Sequence, residues 1–342
     1  MRRPTFVRTV VVTAAAALLA AGCGGGASST SSKDPKAAFS TGVNGLNDSD
    51  ALTVTLKLDT TPETLIALAQ QSGDDLDQTT ARAIAGGQLT FEQKTTTGKD
   101  LSEVKPGDAN AIAVRFTFSD NGTPYAEIVS RDSALFVRAD VKGLLGVFDK
   151  SKLYDDLAAR ASTLPPFVKA FVANQWVTLP TSVLTALASQ FGGAAALPNA
   201  DQMKKLVAGL KDVLDRDVAV ARIGSDDEGD HLRLTGQSRK LVGDLVQSLS
   251  GAVPAASLAL GKFDPTQVPD RPVVVDAWVK DGVLAKVSID VAQFFSESDK
   301  KAASTFPVVL TFDPSGDDIS KPDGATTIDL TQLGSLLGGL GA

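Results

Sequence analysis

The stretch Val273-Val274-Val275-Asp276-Ala277-Trp278-Val279-Lys280-Asp281-Gly282-Val283-Leu284-Ala285-Lys286-Val287-Ser288-Ile289-Asp290 decides the fold. It reads as two β-strands joined by a tight turn. With Lys280-Asp281-Gly282 as a three-residue loop and Gly282 left-handed, Val279 pairs with Val283 and Ala277 with Ala285. Val275 then pairs with Val287, and Val273 with Ile289. One face is wholly aliphatic. The other sets Trp278 across from Leu284 and Asp276 across from Lys286. A two-residue Asp-Gly loop would slip the register and bring Lys280 and Asp276 beside Val283 and Val287, so the three-residue loop is expected.

Ala111 to Ser130 repeats the arrangement around Asp120-Asn121-Gly122. Here Phe116 is expected opposite Ala126, Val114 opposite Ile128, and Phe118 opposite Pro124. On the other face Arg115 stands across from Glu127, an opposite-charge pair of the kind that supports a sheet. Both hairpins present one apolar face to a core.

Outward from the hairpins, further strands are expected at Leu52–Leu58, Gly87–Gln93, Ala134–Arg138, Gln175–Leu179, Val218–Ile223, His231–Thr235 and Thr305–Phe312. Helices are expected at Pro35–Leu46, Pro62–Gln70, Ser151–Ala161, Pro166–Ala173, Thr181–Phe191, Asp201–Leu214 and Ser238–Leu249. Strands come in groups with helices between them. There is no regular β-α-β alternation and no phosphate-binding glycine fingerprint. The pattern implies an α+β fold: one strongly curved antiparallel sheet with helices packed on its apolar, concave face.

The N-terminus says where the protein works. Arg2, Arg3 and Arg8 precede an apolar run from Val10 to Ala21, followed by Leu19-Ala20-Ala21-Gly22-Cys23. The run is too short to span ~30 Å of hydrocarbon. The segment resembles a bacterial lipoprotein signal peptide, removed at residues 1–22, with Cys23 as the acylated N-terminal residue. Leu19 sits one place earlier than is usual in that motif. Cleavage removes three arginines from a 342-residue chain of net charge −7, leaving 320 residues at −10. An acidic surface argues against nucleic-acid binding and against electrostatic docking on anionic lipid. Cys23 is the one cysteine, so no disulfide can form within the chain. Residues 24–32, rich in Gly and Ser, read as a flexible tether holding the domain ~15–20 Å from the bilayer.

Catalytic constellations are missing. His231 is the single histidine and falls on the polar phase of an alternating run, so a solvent-face residue is expected. No other Cys or His is placed to join it on zinc. Asp226-Asp227-Glu228-Gly229-Asp230 reads as a solvated hairpin loop rather than a calcium loop, and Asp313-Pro314-Ser315-Gly316-Asp317-Asp318 reads the same way. No carboxylate pair is singled out for glycosidase chemistry. No enzyme activity, cofactor or metal is expected.

Several landmarks resemble the actinobacterial lipoproteins of the LppX/LprG type, which share the LolA-like half-barrel. They are the helix at Asp34-Pro35-Lys36-Ala37-Ala38-Phe39 leading into the strand Leu52–Leu56, and the strand Leu135–Asp140 with its expected partner Gln175–Pro180. The Trp-bearing hairpin Ala277–Gly282, the strand Phe306–Leu310 and the tail Lys321–Leu330 complete the set. The resemblance implies a single domain over residues 34–342, with helical insertions near 141–172 and 181–215. It also implies a membrane-anchored extracytoplasmic protein that binds or carries a lipid or other apolar ligand in a concave cavity. Phe116, Phe118, Val275, Val279, Val287 and Ile289 are the candidates for lining that cavity. The same residue types would serve a dry core, and a module that binds an envelope protein without any ligand is the alternative function.

Overall fold

The computed structural model describes residues 33–328, except 72, 105–107, 109, 181–208, 210–211, 253–265, 267–269 and 296–298. Cys23, the expected helix Thr181–Phe191, most of Asp201–Leu214 and the tail beyond Ile328 lie outside the described residues. Twelve strands are described: β1 (Ala51–Leu58), β2 (Gly87–Thr95), β3 (Ile112–Asp120), β4 (Thr123–Arg131), β5 (Ala134–Ala139), β6 (Val177–Pro180), β7 (Ala219–Asp226), β8 (Gly229–Gln237), β9 (Pro272–Lys280), β10 (Val283–Asp290), β11 (Pro307–Asp313) and β12 (Thr326–Thr327). The main helices are α1 (Pro35–Gly45), α2 (Pro62–Gln71), α3 (Gln78–Gly86), α4 (Val141–Val147), α5 (Ser151–Ala159), α6 (Pro166–Val172) and α7 (Ser238–Ala252). The fold is α+β, as the grouping of strands and helices implies. Among the described residues no helix is long and apolar enough to cross a membrane.

The described residues fall into two compact units. The first lies within Met1–Val54, Gly98–Gly107 and Ala196–Ser315, the second within Thr55–Thr97, Asp108–Ala195 and Gly316–Ala342.

In the first unit the strand order is β11-β10-β9-β8-β7, antiparallel throughout. The turn of the β9–β10 hairpin corrects the expected register. Lys280 pairs with Val283 across a two-residue Asp281-Gly282 turn, whose φ angles of 52° and 80° are those of a type I′ turn. A bulge between Leu284 and Lys286 then inserts one extra residue. Beyond it Val287 pairs with Ala277 and Ile289 with Val275, so the aliphatic face survives a turn that would otherwise have inverted it. Asp276 stands opposite Ser288 on one side and Arg233 on the other, with Arg233 Nε donating to it at 2.9 Å. Lys286 stands opposite Trp278 instead.

Over the aliphatic face lies α1. Asp34 caps it by accepting from the Lys36 N–H at 3.0 Å, and Pro35 supplies a preset φ in its first turn. Ala38, Phe39, Gly42 and Val43 recur at helical spacing and are buried. With Leu232, Ala277, Leu284, Val287, Val308 and Leu310 they form a sealed interior.

In the second unit the order is β12-β6-β5-β4-β3-β2, antiparallel except for the parallel pair β12–β6. The β3–β4 hairpin needs the same correction. Asp120 pairs with Thr123 across an Asn121-Gly122 turn with φ of 46° and 82°, and a bulge follows Phe118. Phe116 therefore faces Ile128 and Phe118 faces Ala126. Arg115 bridges to Glu92 on β2 at 3.4 Å, while Glu127 pairs with Arg138 on β5. The strands Leu135–Asp140 and Gln175–Pro180 pair as the resemblance implied.

Helix α3 was not expected. Asp77 caps it, accepting from the Thr80 N–H at 2.9 Å and from Thr80 Oγ1 at 2.7 Å.

A candidate ligand-binding face

The antiparallel registers of the second unit line up apolar side chains in rows across the strands. One row runs Phe91, Phe116, Ile128, Val137 and Val177 through β2 to β6. The next runs Leu89, Phe118, Ala126 and Ala139. Side chains directly opposite one another share a face, so these residues form one continuous apolar surface.

Among the described residues that surface is most closely covered at its β6 end. There α6 brings Phe167 and Ala170 onto Val177, together with Ile328. Toward the centre Leu89 is 36% exposed and Ile128 37% exposed, while Phe91, Phe116, Phe118 and Val137 are half-buried. Helix α3 lies against β3 and α4 against β4. The apolar positions of α2, α4 and α5 include no buried residue. At the margin the Tyr125 ring lies 6.0 Å from Phe118. Burial first, then the Asp120 and Asp140 carboxylates, push the Tyr125 hydroxyl above its ordinary value.

The reverse of the same sheet is filled. Ala113, Val129, Phe136 and Ile319 form a buried cluster with Trp176 and Ala325 against it. Arg131 donates to the Ile319 carbonyl, and Lys94 donates to the Gly316 carbonyl at 2.9 Å, pinning the segment from 316 onward. The reverse face thus combines this buried cluster with the Glu92–Arg115 and Glu127–Arg138 pairs, whereas the other face is apolar and half-open.

The structure divides the six sequence candidates. Phe116 and Phe118 stand side by side on the half-open face. Val275, Val279, Val287 and Ile289 belong to the first unit, where Val287 is 1% and Val279 8% exposed in the sealed interior and Val275 and Ile289 are half-buried. Leu89, Phe91, Ile128 and Val137 share this face and were not among the sequence candidates. The signal was the alternation Leu89, Phe91, Gln93 against Thr90, Glu92, Lys94, which places β2 in phase with β3.

Most charged groups on the polar face of the first unit are paired within the sheet, while His231 Nε2 is buried without a hydrogen-bond partner among the described residues. Trp278 lies between His231, stacked at 4.2 Å and 15°, and the Lys286 ammonium, 4.4 Å from the ring centroid. Its indole N–H donates to Asp226 at 3.0 Å, and this bond, ahead of the Glu228 N–H, holds the Asp226 carboxyl below its ordinary value. Lys286 donates to Glu228 at 2.6 Å, and Arg222 pairs with Asp230 at 3.2 Å. Three of the acidic loop's four carboxylates, those of Asp226, Glu228 and Asp230, are therefore engaged within the sheet. His231 is half-buried rather than solvent-facing, with Nε2 3.3 Å from Asp276 Oδ1. Among the described residues no group of three or more His, Cys, Asp or Glu is placed to hold a metal ion.

An α+β protein with one half-open apolar sheet face is the class that fold and site define. No known family profile matches the chain, and no curated sequence matches it. Among solved structures it is similar to the lipoprotein LppX of Mycobacterium tuberculosis, at 10% identity and a TM-score of 0.32, over 83% of this chain and 96% of that one. It is also similar to LprF from Mycobacterium bovis, at 9% identity and a TM-score of 0.35, over 85% of this chain and 97% of that one. Both scores are too low for the likeness to assign a ligand or a role.

Proposed function

We propose that the chain is a non-enzymatic lipoprotein, cleaved after residue 22 and held by acylated Cys23 on the extracytoplasmic face of the cell membrane. In this reading it binds or carries a lipid or other apolar ligand on the half-open face around Phe116 and Phe118. The observation that carries this reading is the five-strand row Phe91-Phe116-Ile128-Val137-Val177, apolar throughout yet with Ile128 exposed at its centre. Each methylene moved from water onto such a surface contributes ~0.8 kcal/mol, so an acyl chain is retained by length alone and needs no specific polar contact. Val279 and Val287 serve the other purpose open to such residues, packing under α1.

Native mass spectrometry of the Cys23→Ser protein tests the reading. A co-purified adduct of lipid mass that disappears on Ile128→Asp supports it. Ligand-free protein that also takes up no added lipid overturns it and leaves the envelope-protein module as the function.

A further inference from the structure

Ile328, the last described residue, stands at the edge of the half-open face. It is buried, its N–H donates to the Thr178 carbonyl at 3.0 Å, and it packs with Phe167, Ala170 and Val177. Its strand runs parallel to β6 with Thr326 beside Val177. The chain therefore leaves the described structure on the side of the sheet that carries the row from Phe91 to Val177. A third row on this side runs Gln93, Val114, Ser130, Leu135 and Leu179, and like the other two it contains no charged residue.

The residues that follow suit this surface. Asp329-Leu330-Thr331-Gln332 has the spacing of a capping box, and Ile328 and Leu333 have the spacing of a hydrophobic staple. Leu330, Leu333, Leu336, Leu337 and Leu340 then recur at i, i+3, i+6, i+7 and i+10, which is one stripe of a helix. Thr331, Gln332 and Ser335 fall on the opposite side. Asp329 is the one charge in residues 329–342, so nothing on the stripe conflicts with an uncharged face. Four glycines in the same stretch make it a poor helix in water, and an apolar surface to form on would supply what propensity does not.

Length fits as well. Fourteen residues of helix measure ~21 Å at ~1.5 Å each. At ~4.8 Å per strand, β4 lies ~14 Å from β12 and β3 ~19 Å from it.

We propose that residues 329–342 fold as an amphipathic helix across the half-open face, laying the leucine stripe over Ile128 and Phe116. The tail is then a built-in cover that a lipid bound at this face has to displace. It competes with the ligand of the proposed function, yet it stands whether or not that ligand exists.

Thiol reactivity tests the cover. In a Cys23→Ser chain, Ile128→Cys or Ile223→Cys supplies the one thiol. Among the described residues the two positions are comparably exposed, at 37% and 44%. With the tail in place, the thiol at 128 should react with a maleimide roughly tenfold more slowly than the one at 223, because it is reached only when the cover opens. Ending the chain at Ile328 should bring the two rates together. A full-length Leu333→Asp, Leu337→Asp chain should do the same, which separates loss of the stripe from truncation. Equal rates at 128 and 223 in the full-length chain overturn the proposal. So does protection at 128 that survives both tail variants, and native mass spectrometry of those samples shows whether a bound lipid provides it. Protection that disappears on dilution assigns the cover to a second copy and also overturns it. Samples free of any lipid adduct would count against the lipid reading alone.

Discussion

Gly42 lies so close to Val279 that a Cβ at position 42 would stand 2.9 Å from Val279 Cγ2 and 3.2 Å from the Leu284 nitrogen. Glycine is what lets α1 settle on the β9–β10 hairpin and seal the first unit's interior. Gly42→Leu should therefore destabilise by about 1–3 kcal/mol, the usual range for overpacking a filled core. A lowered urea midpoint with unchanged m-value checks it. An unchanged midpoint would mean that α1 is not seated there.

The two hairpin turns offer a purer backbone test. Gly282 has φ 80° with no atom within 4 Å of where a Cβ would be, and Gly122 has φ 82° with the same open space. Adding a methyl group costs nothing in packing at either site. Gly282→Ala and Gly122→Ala should each still destabilise by about 1 kcal/mol, through the left-handed conformation alone. Thermal or urea unfolding of the two variants reads this directly.

Acid stability should depend on a four-residue network at the start of α7. Asp217 accepts from Arg216 at 2.7 Å and pairs with Lys240 at 2.8 Å, and Lys240 also reaches Asp244 at 2.9 Å. The Arg216 guanidinium first, then Lys240, hold the Asp217 carboxyl well below the usual carboxylate range. A depressed folded-state value stabilises the fold above the unfolded carboxylate range, near pH 4. That contribution is lost as pH falls below it. Asp217→Asn should lower the urea midpoint at pH 6 and by clearly less at about pH 2, the difference shrinking progressively as pH falls from about 4 toward the depressed folded-state range. Equal differences at both pH values would contradict the assignment.

The sequence was most legible where period and face agree. β2, β3, β4, β5, β9 and β10 were legible, and the apolar face of each hairpin was identified away from its turn, whereas Val283, Leu284 and Pro124 beside the turns were put on the wrong face. The turns were misread because a bulge hides in the pattern. Leu284 and Val287 are both inward although three residues apart, and Tyr125 is the extra residue beside Pro124, which has no N–H to give the ladder. A two-residue type I′ turn followed by a bulge keeps the aliphatic face that a three-residue loop was invoked to preserve. Helix α3 was obscured by the adjacent Thr79 and Thr80, which favour strands, although Asp77 three residues before Thr80 is a capping signal. What no periodicity encodes is whether a helix seals the face it lies near. Val287 and Phe116 are alike in sequence setting; α1 lies over the face of one, whereas among the described residues Ile128 beside the other stays exposed.

That contrast is the central claim, and one paired measurement tests it most directly: binding of a fluorescent acyl-chain probe and the melting temperature, for Ile128→Trp and Val287→Trp. Ile128 lies in the open centre, so its variant should bind the probe at least tenfold more weakly while melting within a few degrees of wild type. Val287 is sealed in the core, so its variant should lose about 1–3 kcal/mol of stability, with probe affinity of the folded fraction unchanged. Probe binding that survives Ile128→Trp, or that is lost with Val287→Trp at unchanged stability, would contradict the account.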